Sequence, residues 1–85
     1  MLITRQTVAN KIADHLHHRL SIAELVDWAE NALLEPDFPE EDAALLSDVI
    51  ARIGVADVRD FGLTWTDFEE LLARLGYSAR IEITH

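Results

Sequence analysis

The stretch Ser-Ile-Ala-Glu-Leu-Val-Asp-Trp-Ala-Glu-Asn-Ala-Leu-Leu-Glu-Pro, residues 21–36, decides the fold. Ile22, Leu25, Val26, Ala29 and Leu33 recur at the three- and four-residue spacing of one helix face, widened by Trp28 and Ala32. Ser21 and Glu24 make the pattern of a capping box, in which each side chain satisfies a backbone donor at the other end of the first turn. Leu20 and Leu25 flank that box as a hydrophobic staple. Pro36 stops the helix, because the residue before a proline is pushed out of the helical region. The expected element is a helix over 21–34 whose apolar stripe must be covered by its neighbours.

Working outward, Val8, Ile12, Leu16 and Leu20 recur every four positions beside Ala9 and Ala13, which predicts a helix over 5–19 capped by Thr4 or Thr7. After the loop Glu35-Pro36-Asp37-Phe38-Pro39, a third helix is expected over 39–53, since Pro39 costs no hydrogen bond in a first turn. Glu40, Glu41 and Asp42 suit the positive end of its dipole. Leu45, Leu46, Val49, Ile50 and Ile53 supply its core face, and Gly54 is expected to end it in the left-handed conformation. Residues 56–61 have length for one short helical turn, closed by Gly62. Thr64 and Asp67 open a last helix over 64–75, stapled by Leu63 and Phe68, with Phe68, Leu71, Leu72 and Leu75 inward and Gly76 as terminator.

Beyond Gly76 the period changes from helical to two. Tyr77, Ala79, Ile81 and Ile83 alternate with Ser78, Arg80, Glu82 and Thr84, as in a half-buried strand over 77–84. Such a strand needs a partner for its backbone groups. Met1-Leu2-Ile3 can supply a short one, a second copy of the tail can supply another in a symmetric dimer, or the tail can fray. The expected class is therefore all-α: a single domain, a small four-helix bundle with an extra short helical turn and a C-terminal β-strand.

Eighty-five residues suffice for one core and leave no room for a cleft between domains. The apolar fraction of 49% is that of a folding chain. Sixteen acids against seven bases give a net charge of −9, which argues against nucleic acid, whose phosphates are bound by clustered Lys and Arg. There is no Cys, so thiol catalysis and thiolate metal sites are excluded. No apolar run reaches the ~20 residues that span a bilayer, and residues 1–20 are too polar for a secretory signal, so a cytoplasmic location is expected.

Catalytic patterns are missing. None of Ser21, Ser47 and Ser78 stands in a Gly-x-Ser-x-Gly turn, and glycines at 54, 62 and 76 build no phosphate loop, so no enzyme and no cofactor are expected. His15, His17 and His18 are the one cluster that suggests metal: with Asp14 one helical turn from both His17 and His18, two side chains can share a cation. The His-Glu-x-x-His pattern and a second ligand group are lacking, which favours surface roles near a helix end. Trp28 adjoins the apolar stripe and reads as core. Trp65 falls outside the stripe of the last helix and reads either as core-edge packing or as a partner contact.

Charge placement is the strongest functional signal. Between Arg19 and Arg52 stand Glu24, Asp27, Glu30, Glu35, Asp37, Glu40, Glu41, Asp42 and Asp48 with no Lys or Arg, while the remainder of the chain is neutral. If helices two and three form a hairpin, this is one continuous negative surface. It reads as a docking face for a basic protein, through Glu30, Glu35, Asp37, Glu40, Glu41, Asp42 and Trp65, or as a solubilising face. A homo-oligomer assembled through Tyr77–Thr84 is the alternative function.

In size, acidity and order of helices, including a short segment before the last helix, the chain resembles the colicin DNase immunity proteins, which use an acidic face to block a basic nuclease. The resemblance is one of architecture and implies an inhibitor- or antitoxin-like role. That family's Asp-x-x-Tyr-Tyr-Pro segment has no counterpart, since residues 57–62 read Asp-Val-Arg-Asp-Phe-Gly, so no functional residue is carried over.

Overall fold

Three short polar signals set where the helices begin. In the computed structural model, which describes residues 2–57 and 62–77, Thr4, Ser21 and Thr64 each accept the backbone N–H three residues on, from Thr7, Glu24 and Asp67. The side chains of those three residues return the bond to the backbone N–H of the cap. These boxes open α1 (Arg5–Leu16), α2 (Ile22–Leu34) and α4 (Trp65–Arg74). Sequence left Thr4 and Thr7 as alternatives for α1; the two act together, Thr4 as the cap and the Thr7 hydroxyl as acceptor of the Thr4 N–H.

The third start is built differently. Instead of one helix over 39–53, a 3-10 turn (Glu40–Asp42) precedes α3 (Ala43–Gly54). The Asp42 N–H donates to the Pro39 carbonyl at 3.0 Å, closing the tighter three-residue turn common at helix starts. Asp42 stands at the cap position of α3 but gives it no side-chain bond, because its carboxylate is held by Arg5 of α1.

Helix ends also depart from expectation. α1 stops at Leu16 rather than residue 19: the His18 and Arg19 N–H groups fold back to the His15 and Asp14 carbonyls, with His18 left-handed at φ +62. That is a Schellman ending, and α4 closes with the same one, where Gly76 (φ +92) and Tyr77 bond back to Ala73 and Leu72. Gly54, by contrast, does not end α3 in a left-handed turn; it stays helical, its α-carbon facing Ala29 of α2, and Val55 is the cap.

The α2–α3 hairpin carries the most extensive packing; α1 lies across both helices, and α4 docks on α1. Val8, Ile12, Leu25, Leu46, Val49, Ile50 and Ile53 are fully buried, and Phe68, Leu71, Leu72 and Leu75 close the core from α4. Among the described residues no polar or charged residue is buried, so the interior is held by apolar contact alone. Trp28, read as core, is half-buried and packs against the core from its edge, and Lys11 Nζ lies 5.8 Å from its ring centre, within cation–π range. Leu33, expected on the buried face, is 38% exposed, and Ala32 completes the stripe in its place. Ala32 falls in line with Leu25 and Ala29; Leu33 lies on the side of the helix that buries Val26, and is exposed in the last turn.

The described residues contain no strand. The expected strand 77–84 lies outside them apart from Tyr77, and most of the short turn 56–61 does too; residues 55–57 form a hydrogen-bonded turn in which the Ala56 N–H reaches Ile53. Ile3 gives its N–H to the Asp37 carbonyl at 2.7 Å, pinning the N-terminal segment to the proline loop. No helix among the described residues is long and apolar enough to cross a membrane.

Candidate functional site

The acids of residues 24–48 divide into two groups. On α2, Glu24, Asp27 and Glu30 project away from the Leu25–Ala29–Ala32 stripe and are exposed, and Glu35, Asp37, Glu40 and Glu41 continue this exposed line through the proline loop and the 3-10 turn. Asp27, Glu30, Glu35, Glu40 and Glu41 have no ion-pair partner among the described residues. Asp42 and Asp48 behave otherwise. Arg5 of α1 donates from Nε and Nη2 to one Asp42 oxygen, at 3.0 and 2.7 Å, and Arg74 of α4 reaches Asp48. The hydrogen bond and charge of Asp42 raise the Arg5 pKa further above its ordinary value. Asp42, read as a partner-binding residue alongside Glu40 and Glu41, is instead only partly accessible and tied to the fold.

The other basic side chains are occupied too. Lys11 covers Trp28, Arg19 lies 3.6 Å from Asp14, and Arg52 acts on Asp67. The described Lys and Arg side chains are thus engaged within the fold, and Asp27, Glu30, Glu35, Glu40 and Glu41 are left without an ion pair among the described residues.

Glu24 and Asp67 are special among the carboxylates because they cap helices. The Ser21 backbone N–H, then its hydroxyl, holds Glu24 below the ordinary carboxylate range; Thr64 does the same for Asp67, with a smaller contribution from Arg52. Glu24 is therefore committed to the start of α2.

The histidine cluster does not assemble a cation site. Because α1 ends at Leu16, His18 sits in the left-handed turn and leaves the one-turn spacing from Asp14, while His17, the cap, keeps it through its N–H bond to the Ala13 carbonyl. Asp14 is paired with Arg19. His15 packs its ring 5.2 Å from that of Phe68, and its Nδ1 lies 3.0 Å from the Leu20 carbonyl; a carbonyl only accepts, so Nδ1 carries the proton. Its role is to tie the α1–α2 turn to α4. No group of three or more metal-binding side chains occurs among the described residues.

A cleft between α3 and α4, lined by Arg52, Leu63, Asp67, Glu70, Leu71 and Arg74, holds about 170 Å³. Pockets for small molecules begin near ~300 Å³. On its rim Arg74 is paired with Asp48, and Asp67 is held by the N–H of Thr64, the cap of α4.

Trp65 stands 40% exposed in the first turn of α4. Two features escaped the sequence reading. The arginines that claim Asp42 and Asp48 come from 37 and 26 residues away, and no local pattern announces them. Leu34 is the other: 77% exposed, it lies about half a turn from Leu25 and so falls among the α2 acids. Helical spacing alone marks it as off the stripe.

Neither a protein family, nor a curated protein, nor a solved structure matches this chain, so the arrangement of its own side chains is the basis for any functional reading.

Proposed function

We propose that the chain is a small protein-binding module that presents the outer face of α2, the proline loop and the 3-10 turn to a basic protein. One observation carries the reading: Asp27, Glu30, Glu35, Glu40 and Glu41 remain outward and without ion pairs among the described residues, although five Lys and Arg side chains are described and all are engaged elsewhere. A surface that served only solubility would do equally well with interleaved charges of both signs. Complementary charge speeds encounter and excludes acidic competitors. In its most specific form the module is inhibitor- or antitoxin-like, covering the basic surface of its target.

The test is affinity capture from a cell extract at low and high salt, with wild type, Asp42→Asn and the combined Glu30→Lys, Glu35→Lys, Glu40→Lys, Glu41→Lys variant as bait. A basic protein is expected on wild type and on Asp42→Asn at low salt, released as salt screens the pair, and missing from the four-lysine variant. Equal retention on the four-lysine variant, or retention indifferent to salt, overturns the proposal.

A further inference from the structure

The end of α2 differs from every other helix end in the described chain. α1, α3 and α4 each carry a basic residue in their last turn, His15, Arg52 and Arg74, which complements the negative end of the helix dipole. α2 has none there. Its last turn is flanked instead by Glu30 and Glu35, which add to the negative potential. No left-handed cap closes it: the Glu35 N–H returns to the Asn31 carbonyl at 3.2 Å, and Pro36 lacks the N–H that would meet the Ala32 carbonyl.

Apolar surface is exposed at the same place. Leu34 is 77% and Leu33 38% exposed, and they stand four and three residues after Glu30, the spacing of side-chain neighbours on a helix. The bond from Ile3 to the Asp37 carbonyl brings the N-terminal segment, with Leu2 51% exposed, to the loop that follows. An apolar side chain set in an uncompensated negative field fits one kind of occupant: a helix of the partner that is basic and amphipathic, with an apolar residue for Leu34 and Lys or Arg for Glu30, Glu35 and the carbonyl end of α2. A second copy of this chain would bring like charge to like charge, which disfavours it.

We infer that the last turn of α2, centred on Leu34 and flanked by Glu30 and Glu35, is where the acidic face receives a basic amphipathic helix of its partner. The inference rests on the proposed docking role and names the element of the partner that is bound.

The full chain is titrated by NMR with a designed helix of lysine and leucine having one leucine face, and with the same composition scrambled to disperse the leucines. The amphipathic peptide is expected to bind the more tightly and to shift Glu30–Phe38 resonances most. Leu34→Ser, at an exposed position, is expected to leave the fold intact and weaken that binding by about tenfold, the value of burying much of one leucine. If Leu34→Ser binds as wild type while Glu30→Lys with Glu35→Lys does not, the inference fails and the wider docking role stands. If the scrambled peptide binds equally well, the inference also fails. Binding of neither peptide overturns both. Sedimentation supplies the remaining outcome: a wild-type dimer dispersed by Leu34→Ser makes the face a self-interface and overturns the inference.

Discussion

α2 and α4 begin alike and end in opposite ways. Each opens with a capping box, Ser21 with Glu24 and Thr64 with Asp67, and each buries one stripe. At its far end α4 is closed by the chain's own groups: Gly76 takes the left-handed turn, Leu75 is buried, and Arg74 reaches across to Asp48. α2 ends open, with Leu34 in solvent, Glu30 and Glu35 beside it, and Pro36 where the next donor would stand. Helix-forming signals alone do not separate the two. The difference lies in what their last turns meet within the chain: Arg74 of α4 reaches Asp48, while the last turn of α2 carries no basic residue and leaves Leu34 in solvent.

Charge reversal gives the largest expected contrast. Replacing Glu30, Glu35, Glu40 and Glu41 by Lys is expected to cost a basic partner about a hundredfold in affinity, roughly 2.7 kcal/mol. Thermal stability should change little, since lysine at 30 and 35 suits the end of α2 while lysine at 40 and 41 opposes the dipole at the start of the 3-10 turn. A large fall in melting temperature would place those acids with Asp42 and break the comparison.

The next test acts on the closed end. Gly76→Ala forces a side chain into φ +92 and is expected to destabilise the fold by about 1–2 kcal/mol in chemical denaturation. Gly54→Ala is the control. Its new Cβ would lie 4.0 Å from the Ala29 Cβ, ordinary contact, in a helical backbone, so it should stabilise by about 0.5–1 kcal/mol. If both alanines act in the same direction, the two glycines are not distinguished by backbone conformation.

The shared beginnings predict equality. Ser21→Ala and Thr64→Ala are each expected to cost about 1 kcal/mol; a difference well above that would show that α2 and α4 do not start from equivalent caps.

The smallest effect is in acid. Glu24 and Asp67 have lowered pKa values, so the folded state binds their protons less readily than the unfolded chain. Their stabilisation is complete above the unfolded carboxylate range, about pH 4, and is lost as pH falls through the lower folded values. Glu24→Gln and Asp67→Asn should each flatten that part of the stability profile, and a profile unchanged in both would contradict the capping geometry.

Much of this was legible in the sequence because it is local. The capping boxes, the stop before Pro36 and the stripes of Leu25 and Ala29 or Phe68 and Leu71 depend on residues within a turn or two of each other. The early end of α1 was missed because left-handed backbone is read most readily at glycine, and here His18 adopts it. Gly54 misled for the converse reason, being helical where a terminator was expected. The placement of the acids was half legible. Counting charge located the acidic stretch but grouped Asp42 with Glu40 and Glu41, since only the fold brings Arg5 to one of them.

The central claim is that the outward acids around the end of α2 dock a basic protein surface, and it is tested most directly by titrating wild type and the four-lysine variant with the lysine–leucine helix at about 0.05 M and 0.3 M salt. The account predicts wild-type affinity that falls at least tenfold with salt and no binding by the variant at either concentration. Equal affinity for the two proteins, or wild-type binding unmoved by salt, would contradict it.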